Sequence, residues 1–216
     1  MPDLMMSSRQ HLLLFTRYPQ PGKVKTRLIP VLGPQGAAVL HARLTEAVIR
    51  RVEPLRQAGE AAPHVCWCGG SEAAMRAWLG GAWPLLPQRG RTLGERMEHA
   101  FAHAWRQGAE RALLIGSDCP DLSAGHLRSG FALLADRQEL VLGPAADGGY
   151  YLIGLHAAAK AQASLFAGID WGTAQVLAQT LRRAAQAGLA CALLPQLHDI
   201  DRPEDLAHLD HHPGFE

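Results

Sequence analysis

The segment ALLIGSDCPD, residues 112–121, sets the expected architecture, because a short apolar run leads directly into a polar, acidic loop. An apolar run of this length, bounded by glycine and proline, is typical of a buried strand. Similar runs at residues 11–16, 64–68 and 140–142 are also followed by polar or glycine-rich loops. Ligands of parallel sheets bind beyond the carboxyl ends of the strands. The segment therefore predicts a strand and one side of a binding site.

Helical patterns separate these runs along most of the chain. Ser71, Thr92 and Ser123 are expected N-caps, and Glu95 should complete a capping box with Thr92. The predicted helices span residues 36–55, 72–79, 92–107, 124–135 and 173–187, and further strands are predicted at residues 85–86, 150–155 and 191–194. This alternation predicts an α/β fold, a three-layer α/β/α sandwich with a mostly parallel central sheet. Residues 1–216 should form a single domain, since no linker or repeat divides them.

Composition narrows the classes of partner. A formal net charge of +1 argues against a nucleic-acid-binding surface. No apolar stretch is long enough for a signal peptide or a transmembrane helix, so no membrane association and a cytoplasmic location are expected. The four cysteines lack the spacing of a metal site and are expected to be reduced and structural.

A basic loop follows the first predicted strand and carries four cations within eleven residues. They are Arg17, Lys23, Lys25 and Arg27. Prolines restrict this loop, Gly22 permits a tight turn, and Thr26 adds a hydroxyl. Arginine and lysine on a constrained loop suit a di- or triphosphate. The spacing is neither a Walker A loop nor a GxGxxG fingerprint, and a solvated basic loop is the alternative.

An acidic loop follows the central strand and is the candidate metal site. Asp118 comes directly after the strand and Asp121 follows across Pro120. Mg²⁺ or Mn²⁺ needs hard oxygen ligands beside substrate phosphates, which makes Asp118 the favoured ligand. For Asp121, an N-terminal helix residue is an equally good interpretation. Asp201 could cap a short helix that is predicted to begin near Pro203, and Asp199 or Asp201 could equally supply a further metal ligand.

Other candidate substrate-binding residues follow further strands. These residues are Gln88, Asp147, Gly148, Gly149 and Tyr150. The glycines indicate either a close approach of the backbone to a ligand or a tight turn. Gln88 stands before a helix N-terminus, which favours an anion or a nucleoside edge. Tyr150 and Tyr151 should point to opposite faces of a strand, so that one lines a pocket and the other packs. Trp171 is either an aromatic platform or part of the core.

Five ordered motifs, between His11 and Leu206, resemble a known family. The motifs are PGKVKTRLIPVLG, LGERM, LLIGSDCPDL, GPAADGGYYLIGL and DIDRPEDL. They are similar to the radical-SAM/selenodomain-associated, arsenosugar-biosynthesis glycosyltransferase-like proteins of the nucleotide-diphospho-sugar transferase (GT-A) superfamily. The resemblance implies a GT-A fold and a divalent metal at Asp118. The KTRL loop is also similar to that of phospholactate guanylyltransferases, and the DIDRPEDL ending to that of molybdopterin nucleotidyltransferases.

The chain departs from these families at three positions. Arg202 replaces a threonine, Arg17 stands where lysine is usual, and Arg91 stands where an acidic residue is usual. At Arg91 the charge is therefore the reverse of the one usual in these families.

Three functions follow from these observations. The first is a metal-dependent transferase in which Lys25, Arg27 and Asp118 are catalytic, with glycosyl transfer from a nucleotide-sugar to a small-molecule acceptor. The second is nucleotidyl transfer, guanylyl or cytidylyl, from a nucleoside triphosphate to a phosphorylated small molecule. The third is a non-catalytic nucleotide-binding module. Mg²⁺ or Mn²⁺ is the expected cofactor, with Asp118 and Asp201 as its ligands.

Overall fold

The computed structural model describes residues 9–159, 165–209 and 212. Within these residues one seven-stranded sheet runs in the order β3-β2-β1-β4-β6-β5-β7. Only β6 is antiparallel to its neighbours, which confirms the mostly parallel sheet. The strands are β1 Gln10–Arg17, β2 Ala62–Cys68, β3 Leu85–Pro87, β4 Arg111–Ile115, β5 Leu140–Pro144, β6 Tyr150–His156 and β7 Cys191–Leu193.

Helices cover both faces of the sheet and make the three layers. They are α1 Ile29–Gln57, α2 Glu72–Leu79, α3 Leu93–Arg106, α4 Ala124–Ala135 and α5 Val176–Gln186, together with the 3-10 turns Thr26–Leu28 and Pro203–His208. Helices α1, α2 and α4 pack in one hydrophobic cluster, and α3 and α5 pack in another on the opposite face. None of the described helices combines the length and hydropathy needed to cross a bilayer.

The apolar runs are continuous because both faces of their strands are covered. Leu12 and Leu14 of β1 lie in the cluster with α1, while Leu13 lies in the cluster with α3. In β4, Leu113 and Leu114 divide between the two clusters in the same way. These central strands bring the carboxyl ends of β1 and β4 side by side, with Leu14 opposite Ile115.

Two local details differ from the sequence prediction. Thr92 accepts a hydrogen bond from the N–H of Glu95, as a cap should, but the Glu95 carboxylate accepts from the N–H of Arg91 instead of Thr92. The predicted capping box of Thr92 and Glu95 is therefore incomplete. Helix α1 begins earlier than expected and bends at Gly33, whose φ of 67° and ψ of 167° are not helical.

Candidate active site

Lys25 is the centre of the site, since it brings the basic loop into contact with the acidic loop. Its Nζ lies 2.8 Å from Asp118 Oδ1, and its side chain is only 3% exposed. The ammonium also donates to the carbonyl of Ile200 at 2.5 Å. Lys25 has a left-handed backbone, with φ 46° and ψ 44°, which L-residues rarely adopt. This conformation turns the side chain inward from a loop whose other cations stay exposed.

The segment around Ile200 joins the same centre. The N–H of Ile200 donates to the carbonyl of Asp118 at 2.9 Å, which fixes Asp201 beside the acidic loop. Asp201 Oδ1 lies 3.8 Å from Lys25 Nζ, and its Oδ2 accepts from Arg27 at 2.6 Å. Asp201 does not cap the last 3-10 turn, because Arg202 holds that position. Three distant parts of the chain therefore meet at one network of charges.

The Asp118 carboxylate keeps its negative charge in this network. Burial alone would raise its pKa, but the charge and hydrogen bond of Lys25 outweigh burial and lower it. Its side chain is 43% exposed, so one side of the carboxylate remains open to a ligand.

An acidic cleft of about 300 Å³ lies next to this network, with Asp147, Asp199, Asp201 and Arg27 in its wall. Burial and the charges of Asp147 and Asp118 raise the pKa of Asp199 to about 6. The carboxylates here thus outweigh the cations that face them. Asp121, the other candidate, lies apart: it contacts His212 at 3.3 Å and lines neither this cleft nor the two described next.

The rest of the basic loop divides into two groups. Arg17 and Lys23 line a small cleft of about 200 Å³ together with Lys25, Asp118 and Asp201, which we call the loop cleft. Arg17 donates to the carbonyl of Lys23 at 3.0 Å, which ties the arginine side chain to the backbone of the loop.

The turn residues Gly22 and Thr26 are both exposed. They line neither the acidic cleft, nor the loop cleft, nor the larger central cleft that is described next. Gly22 has a φ of 76°, so it serves the tight turn that its sequence context indicates.

A larger central cleft of about 360 Å³ opens between β1, β4 and α3, with Asp118 at its edge. Gln88 and Tyr150 both line it. The Gln88 amide donates to the carbonyls of Cys66 at 2.9 Å and Thr16 at 3.3 Å, which fixes its orientation. Tyr150 packs in the α3 cluster and Tyr151 in the opposite one, in agreement with the expected alternation. Both rings nevertheless line the central cleft, whereas only one was expected to line a pocket.

His41 is a site residue that sequence reasoning missed. It lines both the central cleft and the loop cleft, and its Nε2 lies 2.9 Å from the carbonyl of Arg17. Thr16 bridges the hydroxyl of Thr45 and the ring of His41, which ties the end of β1 to α1. Burial is the main cause that lowers the pKa of His41, partly opposed by Asp118. The only signal in the sequence was the spacing of His41 and Thr45 by one helical turn.

The glycine loop after β5 has a packing function. A Cβ on Gly148, which has a φ of 87°, would lie 2.3 Å from the carbonyl oxygen of Ala174. At Gly148 the backbone therefore approaches another segment of the chain closely, at Ala174. Asp147 accepts from the N–H of Gly149 at 2.7 Å, which closes a turn. Trp171 packs against Gly94 at the start of α3, so its described contacts are those of a core residue.

No three carboxylate, histidine or cysteine groups among the described residues converge closely enough to hold a metal alone. The oxygens of Asp118 and Asp201 nevertheless both lie near one cation, the Lys25 ammonium. Hard oxygens from one or two carboxylates, completed by water and substrate phosphates, are what Mg²⁺ usually takes in proteins. The donor set thus fits a divalent ion that is shared with a substrate.

Comparison with known proteins gives a family and a fold. The DUF2064 family, described as an uncharacterized protein conserved in bacteria, matches residues 51–173. A crystal structure of a candidate nucleotide-diphospho-sugar transferase from Desulfovibrio desulfuricans is 35% identical, covers 94% of this chain and 87% of its own, and has a TM-score of 0.85. No curated protein matches the chain significantly.

More distant structures share the fold alone. A CMP:2-keto-3-deoxy-manno-octonic acid synthetase complexed with CTP is 12% identical, with a TM-score of 0.58 over 94% of this chain and 97% of its own. The glucosyl-3-phosphoglycerate synthase of Mycobacterium tuberculosis, complexed with Mn²⁺, UDP-glucose and glycerol 3-phosphate, is 13% identical. Its TM-score is 0.55, over 93% of this chain and 75% of its own.

Proposed function

Since the chain belongs to the DUF2064 family and has the fold of nucleotide-diphospho-sugar transferases, we propose that it transfers a glycosyl group from a nucleotide-sugar to a small-molecule acceptor. One observation carries this proposal. Lys25, Asp118 and Asp201 form a charged junction around a buried ammonium group where the basic loop meets the acidic loop. Such a junction suits a reaction in which negative charge develops on a departing diphosphate.

The balance of charge favours two phosphates over three. Lys25 and Arg27 are each paired with a carboxylate, whereas Arg17 and Lys23 form no ion pair within the described part of the chain. Two unpaired cations beside the loop cleft match the two phosphates of a nucleotide-sugar. Arg17 would contact the oxygens in pairs, and Lys23 would add point charge.

Asp118 and Asp201 would hold Mg²⁺ or Mn²⁺ against the diphosphate. A bound ion of this kind neutralises the leaving group and orients it. In the glycosyl reaction Lys25 would keep its ion pairs with these carboxylates beside the bound ion, so that Arg17 and Lys23 face the diphosphate. The M. tuberculosis synthase of the same fold is complexed with Mn²⁺, which supports a divalent ion here.

The two larger clefts suit the remaining parts of the substrates. The central cleft has the size of a small ligand site. The nitrogen of the Gln88 amide donates to backbone carbonyls, so its oxygen would accept from a nucleobase N–H. Tyr150 supplies an apolar wall on the other side. The acidic cleft presents Asp147 and Asp199, and carboxylates accept hydrogen bonds from the hydroxyl groups of an acceptor.

Nucleotidyl transfer is the second candidate, and the position of Lys25 favours it. If an ion replaced the ammonium between Asp118 and Asp201, Lys25 and Arg27 would both be released. All four cations of the basic loop would then face a triphosphate, and pyrophosphate would leave.

A thermal-shift and turnover experiment separates these functions. The purified chain is incubated with Mg²⁺ or Mn²⁺ and panels of nucleotide-sugars and nucleoside triphosphates. Glycosyl transfer predicts a higher Tm with a nucleotide-sugar and release of the nucleoside diphosphate when an acceptor is added. Stabilisation by a triphosphate, with pyrophosphate release, would overturn it in favour of nucleotidyl transfer. Binding without turnover would support a non-catalytic module.

Asp118→Asn tests the assigned metal ligand, and Asp121→Asn is the matched control. The first substitution should abolish the metal-dependent part of the shift in Tm, whereas the second should leave it unchanged. Metal dependence that survives Asp118→Asn would place the ion elsewhere.

Closer kinship with the radical-SAM/selenodomain-associated transferases and a cytoplasmic location both remain predictions from the sequence.

A further inference from the structure

A second groove, of about 290 Å³, lies between the end of β3 and one face of α3, and we call it the α3 groove. Arg96, His99, His103 and Arg106 follow one another at three- or four-residue intervals, so they share one side of the helix. Arg89 adds a fifth basic group at the β3 end. No aspartate or glutamate lines the groove among the described residues.

The arginines of the α3 groove are not neutralised within the described part of the chain. Arg89, Arg96 and Arg106 form none of its salt bridges. Arg96 Nε donates to the carbonyl of Gly90 at 3.1 Å, which positions the guanidinium and leaves its two terminal nitrogens for another partner.

The basic groups also oppose one another. Burial, followed by the positive charge of Arg106, lowers the pKa of His103. The charge of Arg106 therefore opposes protonation of the histidine that lies one turn away. An anion placed between them would relieve this repulsion.

The α3 groove adjoins the central cleft. Gln88 and Arg96 line both cavities, one at the end of β3 and the other on the first turns of α3. A ligand that occupies the central cleft can therefore extend an anionic substituent past Arg96 toward Arg106.

We propose that the α3 groove is an anion-binding site for a phosphate or carboxylate group of a substrate. Arginine recognises both groups through paired N–H donors, and two or three guanidinium groups can contact one of them. Anion binding is argued from the residues of the α3 groove alone. Its attachment to a ligand in the central cleft rests on the proposed function.

The test is isothermal titration with inorganic pyrophosphate and, in a second arm, with citrate. The starting protein is the double variant Arg17→Gln/Lys23→Gln, in which the basic loop has lost its two unpaired cations. Adding Arg89→Gln and Arg106→Gln should weaken the preferred anion by about tenfold or more, the loss of one or two charge-assisted hydrogen bonds. Preference for pyrophosphate identifies a phosphate site, and preference for citrate a carboxylate site.

The matched control removes two positive charges from another helix, through Arg182→Gln/Arg183→Gln on α5, and should change the Kd less than twofold. Equal weakening by both pairs would reveal only a general effect of net charge and overturn the proposal. Absence of anion binding in the starting protein would overturn it as well. Circular dichroism and Tm confirm that each variant is folded. Because nucleotides are not used, anion binding here can succeed even where the nucleotide panels fail.

Discussion

Lys25, from the first half of the chain, holds its ammonium group between two carboxylates from the second half. Asp118 lies 2.8 Å away and Asp201 lies 3.8 Å away, and the side chain is almost fully buried. The left-handed backbone of Lys25 costs on the order of 1–2 kcal/mol for an L-residue. The ion pairs and the bond to the Ile200 carbonyl must offset this cost. At the residue scale, the junction is therefore a structural tie as well as a candidate site.

Lys25→Met should destabilise the protein, because Asp118 would lose its ion-pair partner and would face Asp201 without the ammonium group that lies between them. We expect a loss of about 1–3 kcal/mol in the free energy of unfolding, less than for a fully buried pair because Asp118 is partly exposed. Urea unfolding measures it. The control is Lys23→Met, which removes an exposed cation of the same loop and should change stability by less than about 0.5 kcal/mol. Equal losses in the two variants would contradict a structural tie at Lys25.

At the scale of elements, the glycine loop 145–149 packs against the segment that precedes α5. Gly148 has no room for a side chain, since a Cβ would lie 2.3 Å from the Ala174 carbonyl oxygen. The N–H of Leu177 also donates to the carbonyl of Gly148 at 2.9 Å. The loop thereby sets the position of the wall of the acidic cleft, where Asp147 and Ala174 lie.

Gly148→Ala should therefore cost more than a positive φ alone explains. We expect a loss of about 3 kcal/mol, the sum of a left-handed backbone and an overlap with Ala174. Gly172→Ala is the control, because Gly172 also has a positive φ, 82°, but no described atom lies within 4 Å of the position that its Cβ would take. That variant should lose only about 1 kcal/mol. Similar losses, read from thermal or urea unfolding, would show that the contact with Ala174 can relax.

The elements were largely predictable because their signals are local. Helix α2 has the predicted bounds, and Ser71 and Ser123 cap the expected helices. Strand order was beyond reach, since no local pattern shows that β6 inserts antiparallel between β4 and β5. The apolar run of β6 reads the same in either direction.

The candidate site was predictable only in part. Asp118 and the basic loop follow strands that pair directly, so their meeting could be inferred from the parallel sheet. Asp201 remained one alternative among several, because a backbone bond between Ile200 and Asp118 brings it in from far along the chain. His41 gave no motif, as its role depends on how α1 packs over the end of β1. On α3, the spacing of His99 and His103 by one helical turn matches no known motif and indicated only a solvated helix face.

At the scale of the whole molecule, three histidines link the sheet to the helix layer. The rings of His11 and His64 are stacked, with their centroids 5.4 Å apart. The ring of His103 on α3 meets that of His64 edge-on, also with 5.4 Å between the centroids. Both ring nitrogens of His11 lack a hydrogen-bond partner within the described residues. Burial, followed by the charges of His11 and His103, lowers the pKa of His64 from 6.5 to about 4. The folded state therefore keeps this group of rings neutral.

This cluster predicts that the protein loses stability in mild acid. His64 binds a proton in the unfolded state at a higher pH than in the folded state, so its contribution is complete above pH 6.5 and is lost as the pH falls toward 4. The loss for His64 alone is up to about 3 kcal/mol. Asp199, whose pKa is raised from 3.8 to about 6, acts in the opposite direction over most of this range, because its folded carboxyl binds a proton there and the unfolded one does not.

Urea unfolding at pH 7.5, 6 and 4.5 isolates the effect of His64 from that of Asp199. As the pH is lowered, the free energy of unfolding of the native protein should decrease. It should decrease less steeply in His64→Gln, because the glutamine side chain takes up no proton. His99→Gln, a change at an exposed histidine of α3, should keep the native slope. If His64→Gln kept the native slope too, the acid sensitivity would belong to other groups. The stacked rings would then be indifferent to charge despite their burial between β1, β2 and α3.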